Sequence, residues 1–165
     1  MDAPLCRSAS PDDVPQILTY VRELAAWEGR PDAATASAHD LRELLFGSHP
    51  LAEAVMLLDP AAGTPVGYAW FYLTTATFTG RAILYLEDLY VTPAARGLGL
   101  GARAMAWLAN VARERGCACL DWSVVEGNDQ AIGFYESLGA KPKHGSVSYR
   151  LSGEALQRLA SQSEK

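Results

Sequence analysis

Leu86-Glu87-Asp88-Leu89-Tyr90-Val91-Thr92-Pro93-Ala94-Ala95-Arg96-Gly97-Leu98-Gly99-Leu100-Gly101-Ala102, continued by a helical pattern to Arg115, reads as a strand, a glycine-punctuated loop and a helix. A helix that opens from such a loop leaves the N–H groups of its first turn unpaired at the positive end of its dipole. That is a ready site for a phosphate or pyrophosphate. Gly97, Gly99 and Gly101 let the backbone approach a ligand with no Cβ in the way. Arg96 adds a positive charge suited to phosphate oxygens.

The loop lacks the Gly-Lys-Ser/Thr ending of a nucleoside-triphosphate loop. Gly97, Gly99 and Ala102 do fit the relaxed dinucleotide fingerprint, with Asp121 downstream as the ribose ligand. Context opposes it: the fingerprint falls in the second half of the chain, and Asp121 sits inside an expected strand. A tight turn without a ligand is the plainest alternative.

Elsewhere the pattern is that of one ordinary folded domain. The chain has 165 residues, 49% apolar and 20% charged, enough for a core without disulfides. No apolar run approaches a membrane span, and Met1 to Ser10 lacks the apolar core of a signal peptide. The three cysteines suggest reduced thiols, hence the cytoplasm. Cys117 and Cys119 are expected on one face of a strand as core fillers. A net charge of −5 argues against nucleic acid and mildly favours a cationic small molecule. His39, His49 and His144 have no metal-ligand spacing, so no metal is expected.

Ser10-Pro11-Asp12-Asp13 is a helix start, followed by Val14, Ile17, Leu18, Val21 and Leu24 at helical spacing to about Trp27. A second helix is expected from about Ser37 to Gly47. Strands follow at Glu53–Leu58, Val66–Thr75 and Ala82–Val91, then the helix from Leu100. Leu120–Val125 as a strand, Asn128–Leu138 as a helix and a strand near Val147–Leu151 complete the pattern. Antiparallel strands followed by a strand–helix–strand crossover give an α/β mixed sheet flanked by helices. One domain over residues 1–165 is expected, with a core at about 5–151 and a short last helix at about 153–160.

Arg96-Gly97-Leu98-Gly99-Leu100-Gly101 resembles the acetyl-coenzyme A pyrophosphate motif of the GNAT superfamily of N-acetyltransferases. Asn128 with Ala131-Ile132-Gly133-Phe134-Tyr135-Glu136-Ser137-Leu138-Gly139-Ala140 resembles that superfamily's second motif. Within it, Glu23-Leu24-Ala25-Ala26-Trp27-Glu28, Gly47-Ser48-His49-Pro50 and Leu84-Tyr85-Leu86-Glu87-Asp88 look like the diamine (spermidine/spermine) and thialysine acetyltransferase branch. The resemblance implies the acyl-CoA N-acyltransferase fold and direct acetyl transfer from acetyl-CoA to a small-molecule primary amine. It also implies a homodimer.

Such transfer makes four demands, and the resemblance assigns residues to each. The donor would be held by the loop (Arg96, Gly97, Leu98, Gly99, Leu100, Gly101, Ala102), with its pantetheine arm beside Leu89, Tyr90 and Val91. Asn128 would help hold that arm, although it reads equally well as a helix cap. An alkylamine is neutral only about one time in a thousand at neutral pH. Glu87 matches the family position for the base that takes its proton. Adjacent strand residues point to opposite faces, so Glu87 and Asp88 share a face only if the strand bulges. A solvated carboxylate pair is the alternative reading. Backbone N–H groups around Leu89 and Tyr90 would face the oxyanion. Tyr135 matches the acid that protonates the departing thiolate and also touches the donor; its alternative is a core aromatic.

For the acceptor, Trp27 and Glu28 match the branch's aromatic and acid and would join Glu87 and Asp88 in a negative slot. Thr74 to Thr79 lacks the Asp of polyamine acetyltransferases, and Lys141 to Ser146 is basic where those place an acid and a Trp. Among diamines, polyamines and lysine-like amino acids, a shorter amine, such as a lysine-like amino acid bearing a carboxylate, is therefore expected over a long polycation. A non-catalytic acyl-CoA-binding protein and a protein-amine acetyltransferase remain as alternatives.

Overall fold

Val55, Leu57, Ala69 and Phe71 turn to one covered face of a sheet and Met56, Tyr68 and Trp70 to the other, and the sheet is built around them. The computed structural model describes residues 5–145 and 147–163. They fall into two compact units, Met1–Val125 and Glu126–Lys165.

In the first unit, β1 (Cys6–Ser8), β2 (Glu53–Leu58), β3 (Pro65–Ala76), β4 (Arg81–Val91) and β5 (Leu120–Trp122) form one sheet in that spatial order. The first three pairings are antiparallel; β4 and β5 pair in parallel, joined by α3 (Leu100–Glu114). This is the expected mixed sheet. β1 was not anticipated, because three residues are too few to show a period of two. β5 stops at Trp122, short of the expected Val125, and Val124 and Val125 are exposed.

Two helices cover one face. A 3-10 turn at Pro11–Asp13 leads into α1 (Val14–Trp27), and Ser37 starts α2 (Ala38–Phe46) with a capping box to Asp40. Val14, Ile17 and Tyr20 of α1 and Leu41 and Leu45 of α2 pack with Met56, Tyr68, Trp70 and Tyr90. Leu100, Ala104 and Leu108 of α3 are buried with Val55, Leu57 and Phe71 of the opposite parity, and the Trp107 ring meets Phe71 edge-on at 5.9 Å. At the chain start the Arg7 guanidinium makes two 2.7 Å bonds to the Asp13 carboxylate, which also accepts from the Ser10 N–H and hydroxyl. These bonds hold Asp13 well below the usual carboxylate range, at about 2.

One irregularity positions the site. Trp70 pairs with Asp88 but Phe71 pairs with Leu86, so Glu87 is an extra residue in β4. This bulge reverses the strand's alternation: Asp88 and Tyr90 point to the α1/α2 face, and beyond the bulge so do Glu87 and Tyr85.

In the second unit, α4 (Asp129–Ser137) and α5 (Gly153–Ala160) are formed. The strand expected near Val147–Leu151 is absent among the described residues: the segment is irregular, with Val147, Tyr149 and Leu151 exposed. An alternating pattern specifies a face but not a ladder partner, and a strand needs both. Cys117 is buried as expected, whereas Cys119 is exposed, its thiol 3.6 Å from Asp121 Oδ1. Neither lies in a strand, which removes the shared face.

Candidate active site

The bulge in β4 brings two adjacent carboxylates to one wall of a cleft of about 490 Å³. Tyr72, Glu87 and Asp88 come from the sheet, with Trp70 beneath; Val21, Leu41, Leu44 and Leu51 form the facing apolar wall. The condition set by the sequence for Glu87 and Asp88 to share a face is met.

The two acids are held differently. Asp88 is largely removed from water and accepts a 2.7 Å hydrogen bond from the Tyr68 hydroxyl. Burial pushes its carboxyl above the ordinary aspartate value, the Tyr68 bond opposes that, and the charges of Glu87 and Glu28 add to it. The Tyr68 phenol is buried and driven well above its ordinary value, so it stays protonated and donates. Glu87 is exposed and accepts from the Tyr72 hydroxyl at 3.1 Å; burial and the Glu87 charge raise Tyr72 to about 12. The pair thus offers one solvated carboxylate and one with raised proton affinity.

β4 carries this site toward the loop. Its pairing with β5 ends at Leu86 and Trp122, so Leu89, Tyr90 and Val91 have no β5 partner. From Asp88 to Val91 the strand advances roughly 10 Å. The Tyr90 side chain is buried, its hydroxyl donating to Glu23 at 2.9 Å, and burial and that bond raise it to about 12. Only the backbone of Tyr90 is therefore available to a ligand at that edge.

Gly97 (φ 80°) and Gly99 (φ 74°) are left-handed, the conformation that only glycine adopts at little cost. A Cβ at either would meet nothing within 4 Å, so handedness is the protein's own reason for these glycines. Gly99 is the N-cap of α3 and supplies no side-chain acceptor, unlike Ser37 at α2. The N–H groups of Leu100, Gly101 and Ala102 open the helix with no capping side chain, and residues 96–99 are exposed. This is the chemistry of a diphosphate cradle, and the residues present fit that group.

Other expected site residues lie elsewhere. The Trp27 ring sits under the Arg96 guanidinium, 5.5 Å from its centroid, and Arg96 Nε donates to the Val91 carbonyl at 3.2 Å. Glu28 pairs with Arg30. Neither Trp27 nor Glu28 lines the cleft, although the Glu28 charge acts on Asp88. Sequence reasoning missed Tyr68, Trp70 and Tyr72, whose period-two spacing in Tyr68-Ala69-Trp70-Phe71-Tyr72 is a legible signal of one shared face. It also missed Leu44, whose helical spacing puts it on one face with Leu41 and Leu45, and Leu51, which carries no such signal.

In the second unit the Asn128 side chain accepts from the Ala131 N–H at 3.1 Å, which is the helix-cap reading. Tyr135 lies on α4 with its ring 5.0 Å from that of Phe134, and burial raises its phenol above the ordinary value.

A mixed sheet with a bulged strand that runs into a glycine-cradled helix start is the acyl-CoA N-acyltransferase fold. Residues 18–140 match the acetyltransferase (GNAT) family, and the chain belongs to that family of acetyl-transferring enzymes, which use acetyl-CoA as cosubstrate. It is 37% identical to the thialysine N-epsilon-acetyltransferase of Sus scrofa over 97% of this chain and 99% of that one. It is 38% identical to the spermidine/spermine N(1)-acetyltransferase-like protein 1 of Homo sapiens, over 97% of this chain and 24% of that longer protein. Among solved structures, an integron cassette protein from the mobile metagenome of V. cholerae superposes with a TM-score of 0.79 at 27% identity, covering 97% of this chain and 98% of its own.

Proposed function

We propose that this enzyme moves the acetyl group of acetyl-CoA directly to a primary amine of a small molecule, a short diamine or a lysine-like amino acid, within a ternary complex. The observation that carries the acceptor reading is the bulge at Glu87, which turns Glu87 and Asp88 together into the cleft. The similarity to thialysine acetyltransferases supports it.

Glu87 takes the ammonium proton, directly or through water, with Asp88 beside it to hold the cation. Trp27 and Glu28 lie at the end of α1 and serve the acceptor's approach. Backbone N–H groups at Leu89 and Tyr90 stabilise the oxyanion as the amine nitrogen bonds to the thioester carbon. Tyr135 donates its proton to the sulfur as the carbon–sulfur bond breaks. Gly97, Leu98, Gly99, Leu100, Gly101 and Ala102 hold the diphosphate, with Arg96 leaving Trp27 to join them; Val91 and Asn128 hold the pantetheine arm. The roles of Tyr135 and Asn128 rest on the motif and on the chemistry of a thiolate leaving group. Residues 1–165 work as one N-acetyltransferase domain in this reading. The homodimer rests on the resemblance and the cytoplasm on the three cysteines read as reduced thiols; light scattering at two concentrations tests the dimer.

Release of coenzyme A thiol with thialysine, putrescine and spermidine tests the assignment. Amine-dependent release with intersecting initial-velocity lines is expected, and no release with any amine would sink it. Tyr135→Phe is expected to lower kcat by roughly 10²-fold while coenzyme A binding holds. Unchanged turnover would remove Tyr135 from the acid role.

A further inference from the structure

We infer that Tyr68 is a positioning residue for the acceptor: its hydroxyl ties down one oxygen of Asp88 and leaves the other, charged, to meet the ammonium in the cleft. This rests on the reading of Asp88 as the group that holds the acceptor's cation.

Asp88 lines the cleft and Tyr68 does not; Tyr68 is fully buried and reaches Asp88 Oδ2 from behind, at 2.7 Å. Its backbone is paired on both sides, with Met56 of β2 and Tyr90 of β4. The side chain therefore reaches diagonally along the sheet, to the residue opposite Trp70. Its ring is stacked on that of Tyr20, centroids 6.2 Å apart and planes 13° from parallel. The Tyr20 hydroxyl is itself held by the Pro65 carbonyl at 2.8 Å, and the next ring, Tyr90, gives its hydroxyl to Glu23. A donor already fixed in this way loses little freedom when it bonds a carboxylate.

The surroundings of Asp88 make that bond decisive. Burial disfavours its negative charge, and so do Glu87 beside it and Glu28 at the end of α1; the Tyr68 bond acts the other way. Elsewhere on the cleft wall, α1 contributes Val21, α2 contributes Leu41 and Leu44, and Tyr72 is bonded to Glu87. Glu87 is exposed and can trade protons with water, whereas Asp88 is held rigid. Tyr68 thus separates the two acids into a mobile base and a fixed anchor.

Tyr68→Phe keeps the ring and its stack and removes only the hydroxyl. With saturating acetyl-CoA, KM for thialysine at pH 6 should rise about tenfold, the size of a hydrogen bond to a charged group, while kcat stays within about twofold. The acid limb of kcat/KM should move to higher pH, because Asp88 loses the bond that favours its charge. Added to Asp88→Asn, Tyr68→Phe should change KM by less than about twofold, since it acts through Asp88. Tyr20→Phe, which takes a hydroxyl from the same stack, should leave the acid limb in place. An acid limb unmoved by Tyr68→Phe, or moved as far by Tyr20→Phe, would overturn the inference. So would a full rise in KM on top of Asp88→Asn. If Asp88→Asn alone leaves KM unchanged, Asp88 is not the cation's holder, and the inference falls with that reading.

Discussion

Asp88 is charged where water is scarce and where Glu87 and Glu28 oppose a second negative charge. Its carboxyl is raised above the unfolded value, so folding favours the protonated form. Its contribution to stability is therefore whole below the unfolded pKa and lost as pH rises through the raised one. Asp88→Asn keeps an acceptor for Tyr68 and removes the buried charge. It should melt a few degrees higher than the native enzyme at neutral pH, an advantage that shrinks in acid, while the KM for the amine rises because the cation loses a charged partner. Thermal melts at several pH values with parallel kinetics check both halves. Asp13 has the opposite sign. Its pKa falls from 3.8 to about 2, so its bonds to Arg7 and to the Ser10 N–H and hydroxyl together contribute roughly 2 kcal/mol above pH 4, lost as pH falls through 2. In urea titrations the gap between Asp13→Asn and the native protein should be full at pH 6 and much reduced at pH 2.

Among the elements, those with their own local signal were legible and those that depend on a partner were not. The Ser37 and Asp40 capping box, the proline at the start of the first helix and the glycine before α3 each mark an end by chemistry within four residues. β1 exists because β2 offers it a ladder, and residues 147–151 alternate without becoming a strand. The close approach of β3 and β4 is another tertiary fact. A Cβ on Gly67 would lie 2.3 Å from the Tyr90 carbonyl oxygen, which is backbone and cannot swing aside. Gly67→Ala should cost about 1–3 kcal/mol, read as a lower urea midpoint. A midpoint equal to the native one would show that the two strands separate freely there.

At the scale of the whole molecule, a ligand that grips the folded chain should stabilise it. Coenzyme A at about 100 times its Kd adds about 2.7 kcal/mol, a shift of several degrees in Tm. NAD at the same concentration should leave Tm unmoved; protection by NAD instead would revive the dinucleotide reading of Gly97, Gly99 and Ala102. The sequence alone determined the mixed sheet, the glycine loop ahead of α3 and the acid pair at 87–88, because periodicity, capping and left-handed glycines act over a few neighbouring residues. Only tertiary structure decided that Glu87 and Asp88 share a face, because a bulge is counted against the partner strand and has no signal in its own. It alone set the raised proton affinity of Asp88, the Arg96 guanidinium over Trp27, and an aliphatic wall of residues far apart in the chain. Burial, charge and contact at a distance belong to the packed chain.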